Sequence, residues 1–128
     1  MSSAAELGAL ARSRVLVVED EYFLADDIMR ALQGLGAEVV GPVPTRDKAL
    51  ALLASSESID AAVLDINLQG EAVFPVADAL IERGIPFVFA TGYDQSAVPA
   101  AYDGVRRWEK PFEPAELAKA LPGLLHSS

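Results

Sequence analysis

There is no cysteine among the 128 residues, which excludes a disulfide framework and a thiolate metal site. Basic residues are scarce: ten Lys and Arg stand against nineteen Asp and Glu, for a net charge of −9. So acidic a chain offers no basic patch to a phosphate backbone, and no direct nucleic-acid binding is expected. No apolar run approaches the ~20 residues of a membrane helix. The first residues, "MSSAAELGALARSR", lack the early basic stretch and long apolar stretch of a signal peptide. The expectation is a cytoplasmic protein without membrane contact. Repeats and low-complexity stretches are absent too. Hydrophobic residues make up 52% of the chain, and its length allows one domain with a proper core.

What is present is an alternation. After a leader over 1–13, "RVLVV" (14–18) reads as a buried strand. Residues 21–36 read as a helix with Leu24, Ile28, Ala31, Leu32 and Leu35 on one face, closed by Gly34 or Gly36. "AEVVG" (37–41) is a second strand, and Thr45 is placed to cap a helix over 46–55 carrying Ala49, Leu50, Leu52 and Leu53. "DAAVLDI" (60–66) is a third strand. A helix over 73–83 follows, with Pro75 in its first turn, Phe74, Ala77, Leu80 and Ile81 inward and Gly84 as its stop. "PFVFAT" (86–91) and "VRRWEK" (105–110) are strands four and five, separated by a short helix over 95–102. A last helix starts near Pro114, carries Leu117, Ala118 and Leu121, and ends at Pro122 and Gly123, leaving 126–128 as a tail. Strands that alternate with helices and are almost wholly apolar predict a parallel α/β sheet covered on both faces. Ligands of such sheets bind beyond the carboxyl ends of the strands.

Polar residues collect at those ends. Strand one runs into Glu19 and Asp20, strand three ends in Asp65, strand four in Thr91 and strand five in Lys110. Neighbouring carboxylates resist ionising together, so the cluster needs an offset. Oxygen donors without cysteine or nearby histidine suit a hard divalent ion, Mg²⁺ first and Mn²⁺ as the alternative. A hydroxyl (Thr91) and an ammonium (Lys110) are what the oxygens of a phosphoryl group require. A carboxylate, best Asp65 on the central strand, can then act as nucleophile and form an acyl phosphate.

With these residues in hand, the chain resembles a response-regulator receiver domain of two-component signalling, over about residues 14–125. "VVEDE" resembles the acidic pair of that family, which implies Glu19 and Asp20 as metal ligands. "VLDINL" resembles its phosphoacceptor segment, implying Asp65 as the phosphorylated residue and the Asn67 backbone carbonyl as a further ligand. "FATGY" resembles the switch segment at Thr91, and "EKPF" the segment of the phosphate-binding lysine, Lys110, with a cis bond to Pro111. The "FATGY" wording is similar to a subgroup best known in alphaproteobacteria. The resemblance implies a flavodoxin-like (βα)₅ sandwich with strand order 2-1-3-4-5. It also implies a sensor histidine kinase as phosphoryl donor, and a histidine phosphotransferase or effector protein as a further partner. A stand-alone monomer or weak dimer is expected, one that catalyses only its own phosphorylation and dephosphorylation and switches contacts, relays phosphate or drains it.

The sequence departs from the family pattern on strand five, and its fourth helix reads as short, which implies a reshaped output face. Many receivers carry an aromatic residue three positions before the lysine, and Arg107 stands there. Tyr93, two residues after Thr91, is an aromatic that can share the switching, and Asn67 and Tyr93 flank the approach of a hydrolytic water. Trp108, the only tryptophan, reads as packing or partner contact. Two rival readings remain at this stage. One is a receiver-like interaction module that works without phosphorylation. The other is a haloacid-dehalogenase-like phosphohydrolase, which normally places a second Asp where Asn67 stands. A dinucleotide-binding domain is weaker, since no Gly-x-Gly-x-x-Gly follows strand one.

Overall fold

The computed structural model describes residues 8–55, 58–92 and 98–125. In chain order the elements are β1 (Arg14–Val18), α1 (Tyr22–Gly34), β2 (Glu38–Val43), α2 (Arg46–Ala54), β3 (Ala61–Asp65), β4 (Asn67–Leu68), β5 (Glu71–Ala72), α3 (Phe74–Glu82), β6 (Phe87–Thr91), a 3₁₀ turn (Ala100–Tyr102), β7 (Arg107–Glu109) and α4 (Pro114–Leu125). The main sheet is parallel with order β2-β1-β3-β6-β7. Leaving aside the small β4–β5 hairpin, this is the flavodoxin-like order 2-1-3-4-5. Among the described residues the expected five helices are four α-helices and one 3₁₀ turn.

Both faces of the sheet are covered, as all-apolar strands require. Alternate strand residues feed two cores. Leu16, Val18, Ala62, Leu64, Phe87 and Phe89 pack with Ala49 and Leu53 of α2 and Val76, Ala77 and Leu80 of α3. Val15, Val17, Ala61, Val63 and Val88 pack with Ile28 and Leu32 of α1 and Leu117, Ala118 and Leu121 of α4. Leu10, within the expected leader, is fully buried in this second core, and its amide donates to the Leu35 carbonyl at 2.8 Å. Thr45 caps α2 through a bond accepted from the Lys48 amide at 3.2 Å. Tyr102 is buried, stacks on Phe74 and donates its hydroxyl to Asp78. Burial and that carboxylate push its pKa up to about 12. No helix among the described residues is long and apolar enough to cross a membrane.

Several boundaries differ from expectation. α4 does not end at Pro122. It runs to Leu125, because Leu121 before the proline and Leu124 and Leu125 after it all pack on the core. Packing there outweighs the lost backbone donor. Ile81 is half exposed rather than inward, since Val76, Ala77 and Leu80 already fill the buried stripe of α3. β7 spans only Arg107–Glu109, so Lys110 lies just past the strand. Of the expected helix over 95–102, residues 95–97 lie outside the described residues. β2 continues through Pro42 to Val43, with cis Gly41–Pro42 and a register shift against β1 between Leu16 and Val18. The shift turns the Val43 carbonyl onto the Glu19 amide at 3.0 Å, which fixes the residue that leaves β1.

Gly41 makes that bend, at φ +96°, and a Cβ there would lie 2.8 Å from the Val43 nitrogen and 3.1 Å from the Val17 carbonyl oxygen. Gly84, at φ +68°, would meet nothing within 4 Å. Gly41→Ala is therefore expected to cost roughly 3 kcal/mol, strain and backbone displacement combined. Gly84→Ala should cost only about 1–2 kcal/mol of strain. Urea unfolding of the two variants checks the order; equal losses would contradict the close approach at Gly41.

Candidate functional site

Parallel pairing brings the ends of β1, β3, β6 and β7 to one edge. Among the described residues the buried polar side chains are Glu19, Asp65 and Thr91, and all three stand at that edge. Burying polar groups costs free energy unless they find partners, so the concentration of all three here marks the edge as built for polar chemistry.

Ligand oxygens of Glu19, Asp20 and Asp65 lie within 4.8 Å of one another. At an effective dielectric of about 20, two carboxylate charges at such a separation repel by about 3 kcal/mol. Three devices answer this. The Glu21 amide donates to Glu19 Oε2 at 3.1 Å, and the Asn67 amide to Asp65 Oδ1 at 3.2 Å. The Lys110 ammonium lies 3.2 Å from Glu19 Oε2 and 3.4 Å from Asp65 Oδ2. Its shortest contact, 2.8 Å, is to Glu21 Oε2.

The offset is incomplete. Burial first, then Glu19 and Asp20, push the Asp65 pKa from 3.8 up to about 8, although Lys110 pulls the other way. Burial also raises Glu19, against the lowering effects of its hydrogen bonds and Lys110. Burial alone would lower Lys110, but Glu21, Asp65 and Glu19 together raise it above its ordinary 10.5. Glu19 Oε1 is buried without a hydrogen-bond partner. An orphaned carboxylate oxygen beside two further carboxylates fits a hard divalent cation, which would satisfy it and neutralise the cluster.

The other expected residues are placed as follows. Thr91 ends β6, and its hydroxyl donates to the Gly92 carbonyl at 3.0 Å. The Lys110 amide donates to the Thr91 carbonyl at 2.7 Å, so the hydroxyl-bearing and amine-bearing segments are stitched together. Lys110–Pro111 is cis. Asn67 starts the hairpin, and its side-chain oxygen accepts from the Gly70 amide at 2.8 Å. Arg107 is exposed on the edge strand, in register with Phe89 and apart from the carboxylates' ion pairs. Trp108 packs on Phe112 and under the Arg106 guanidinium. Tyr93 lies outside the described residues. Glu21, which stands in the acidic run after strand one and opens the expected helix, is assigned no role by the sequence. Its signal was the third acid in "EDE".

The raised Asp65 has a direct consequence for stability. The folded, metal-free protein keeps a proton that the unfolded chain releases near its ordinary pKa of 3.8, so stability falls as pH rises from about 4 towards 8 and then levels off. Asp65→Asn is expected to flatten that slope and to be the more stable protein above pH 8. Denaturation in chelator across this range checks it, and a wild-type stability that climbs with pH would contradict it.

No protein-family model matches the chain. SdrG from Sphingomonas melonis, known as a solution structure, is 43% identical and superimposes with a TM-score of 0.77, covering 88% of this chain and 96% of that one. A second SdrG structure shows its BeF₃-activated conformation, at 42% identity, TM-score 0.72 and coverage of 90% and 98%. A response regulator receiver protein from Sinorhizobium medicae is 28% identical with TM-score 0.74, covering 90% and 95%. The regulator PhyR of Methylorubrum extorquens is 28% identical over 119 residues, 91% of this chain and 45% of PhyR. The chain spans about half the length of the curated relatives it matches. An acidic cleft at the carboxyl edge of a 2-1-3-4-5 sheet, and a match to SdrG over nearly all of both chains, make one conclusion: this chain belongs to the response-regulator receiver family.

Proposed function

We propose that Asp65 accepts a phosphoryl group from the phosphohistidine of a sensor histidine kinase, in the cytoplasm and with Mg²⁺. The observation that carries this reading is the meeting of Asp65 with Glu19, Asp20 and Lys110 in one cleft. Glu19, Asp20 and Asp65 would hold Mg²⁺ or Mn²⁺, with the Asn67 carbonyl as a further ligand. The ion's contribution is to neutralise charge on the phosphoryl oxygens and to keep the carboxylates ionised.

The chain's own residues do the rest. An Asp65 carboxylate oxygen attacks phosphorus. The phosphorus–nitrogen bond breaks and its electron pair returns to the imidazole. Lys110 pairs with the phosphoryl oxygens. Thr91 exchanges its bond to the Gly92 carbonyl for one to phosphoryl, and this exchange biases a two-state equilibrium of the surface around it. That surface then binds or releases an effector, or phosphate passes to a histidine phosphotransferase or to water. Asn67, Tyr93 and Arg107 are the positions proposed to tune switching and hydrolysis. The phosphohydrolase reading is weaker, because its acid/base position is Asn67, whose side-chain oxygen is committed to the Gly70 amide.

The test is acetyl phosphate with Mg²⁺, read by intact mass. The wild type should gain one phosphoryl group, Asp65→Asn none, and the wild type in chelator at least tenfold less, since its Asp65 is pushed up to about 8 and largely protonated at neutral pH. Equal labelling with and without the metal, or labelling of the Asn variant, would contradict the assignment.

A further inference from the structure

Lys110 has three carboxylate neighbours, and the closest is neither buried acid. Its Nζ lies 2.8 Å from Glu21, against 3.2 Å from Glu19 and 3.4 Å from Asp65. Glu21 differs from the other two in kind. Its side chain is 59% exposed, where theirs are 1% and 5% exposed. It stands outside the set of three acids whose oxygens cluster closely enough for one cation. Its backbone is nonetheless fixed at both ends: its amide donates to Glu19 Oε2, and its carbonyl accepts from the Ala25 amide at the head of α1. The fold therefore holds a fourth carboxylate where it reaches the amine but belongs to solvent.

We propose that Glu21 is a positioning residue that parks Lys110 beside Asp65 until the phosphoryl group arrives. The inference rests on the phosphoacceptor reading above. Charge sets its direction. An ammonium shared with Glu21 competes less for the oxygens of Glu19 and Asp65, which stay available to a divalent cation. Once Asp65 carries phosphoryl, the new oxygens and Glu21 compete for the same ammonium, and Glu21 also repels the added negative charge. Glu21 thus favours the metal-bound, unphosphorylated protein and opposes the phosphorylated one.

Glu21→Gln keeps the size of the side chain and removes its charge. The experiment titrates the full chain with Mg²⁺, then with beryllofluoride, a phosphoryl mimic, at saturating Mg²⁺, both followed by NMR. Exposed ion pairs are weak, so the expected shifts are about threefold: Mg²⁺ binding weaker, beryllofluoride binding tighter. Glu38→Gln is the charge-matched control, since Glu38 pairs with Arg14 at the opposite end of the strands; it should leave both constants as in the wild type. A purely structural role would weaken both ligands or change neither, and either result overturns the proposal. A wild type that binds neither ligand would overturn the phosphoacceptor reading itself. Wild-type binding without opposite shifts in the variant would remove Glu21 alone.

Discussion

The ammonium of Lys110 sits among carboxylates that the sheet forces together, with contacts of 2.8–3.4 Å to Glu21, Glu19 and Asp65. Repulsion of about 3 kcal/mol between each close pair of acids is large beside a total folding stability of ~5–15 kcal/mol. With the Lys110 ammonium as its only cationic neighbour among the described residues, Asp65 answers by keeping its proton far above its ordinary range. One amine and two backbone amides offset the repulsion in part. A divalent ion held by Glu19, Asp20 and Asp65 would relieve the part left over, which folding has already imposed.

Geometry elsewhere serves this arrangement. The bend of β2 at Gly41 supplies the carbonyl that holds the Glu19 amide, so a residue two strands from Asp65 decides where the first acid points. The backbone bond from Lys110 to Thr91 links the amine to the hydroxyl, and pairing of β6 with β3 links both to Asp65. Behind Thr91, Phe89 meets the edge of Tyr102, whose ring stacks on Phe74. That aromatic group fills the interior beside Thr91, while Arg107 faces solvent.

Much of this was legible in the sequence because its signals were strong and local. Apolar runs of four residues marked strands one, three and four, and the alternation with helices marked a parallel sheet. The strand-end rule then brought Glu19, Asp20, Asp65, Thr91 and Lys110 to one edge from positions as far as 91 residues apart. What escaped the reading depends on tertiary context. The β4–β5 hairpin is only two residues per strand, held by the Asn67–Gly70 turn and by Arg46 reaching Glu71, so it has no periodicity to detect. Pro122 stays inside α4 because Leu121 before it is buried and Leu124 and Leu125 after it pack, partly buried, on the same core. Leu10 joins the core from a segment with no pattern of its own. Glu21 was hidden by its position, since an acid opening a helix needs no further explanation until Lys110 is seen beside it.

The central claim concerns the ionisation of one carboxyl, so the most direct measurement is carbon-detected NMR of the Asp65 side chain across pH, with and without Mg²⁺. The account predicts a midpoint near 8 in the metal-free protein. With Mg²⁺ the carboxylate should stay ionised through neutral pH. A midpoint near 3.8 in the metal-free protein, unmoved by the ion, would contradict it.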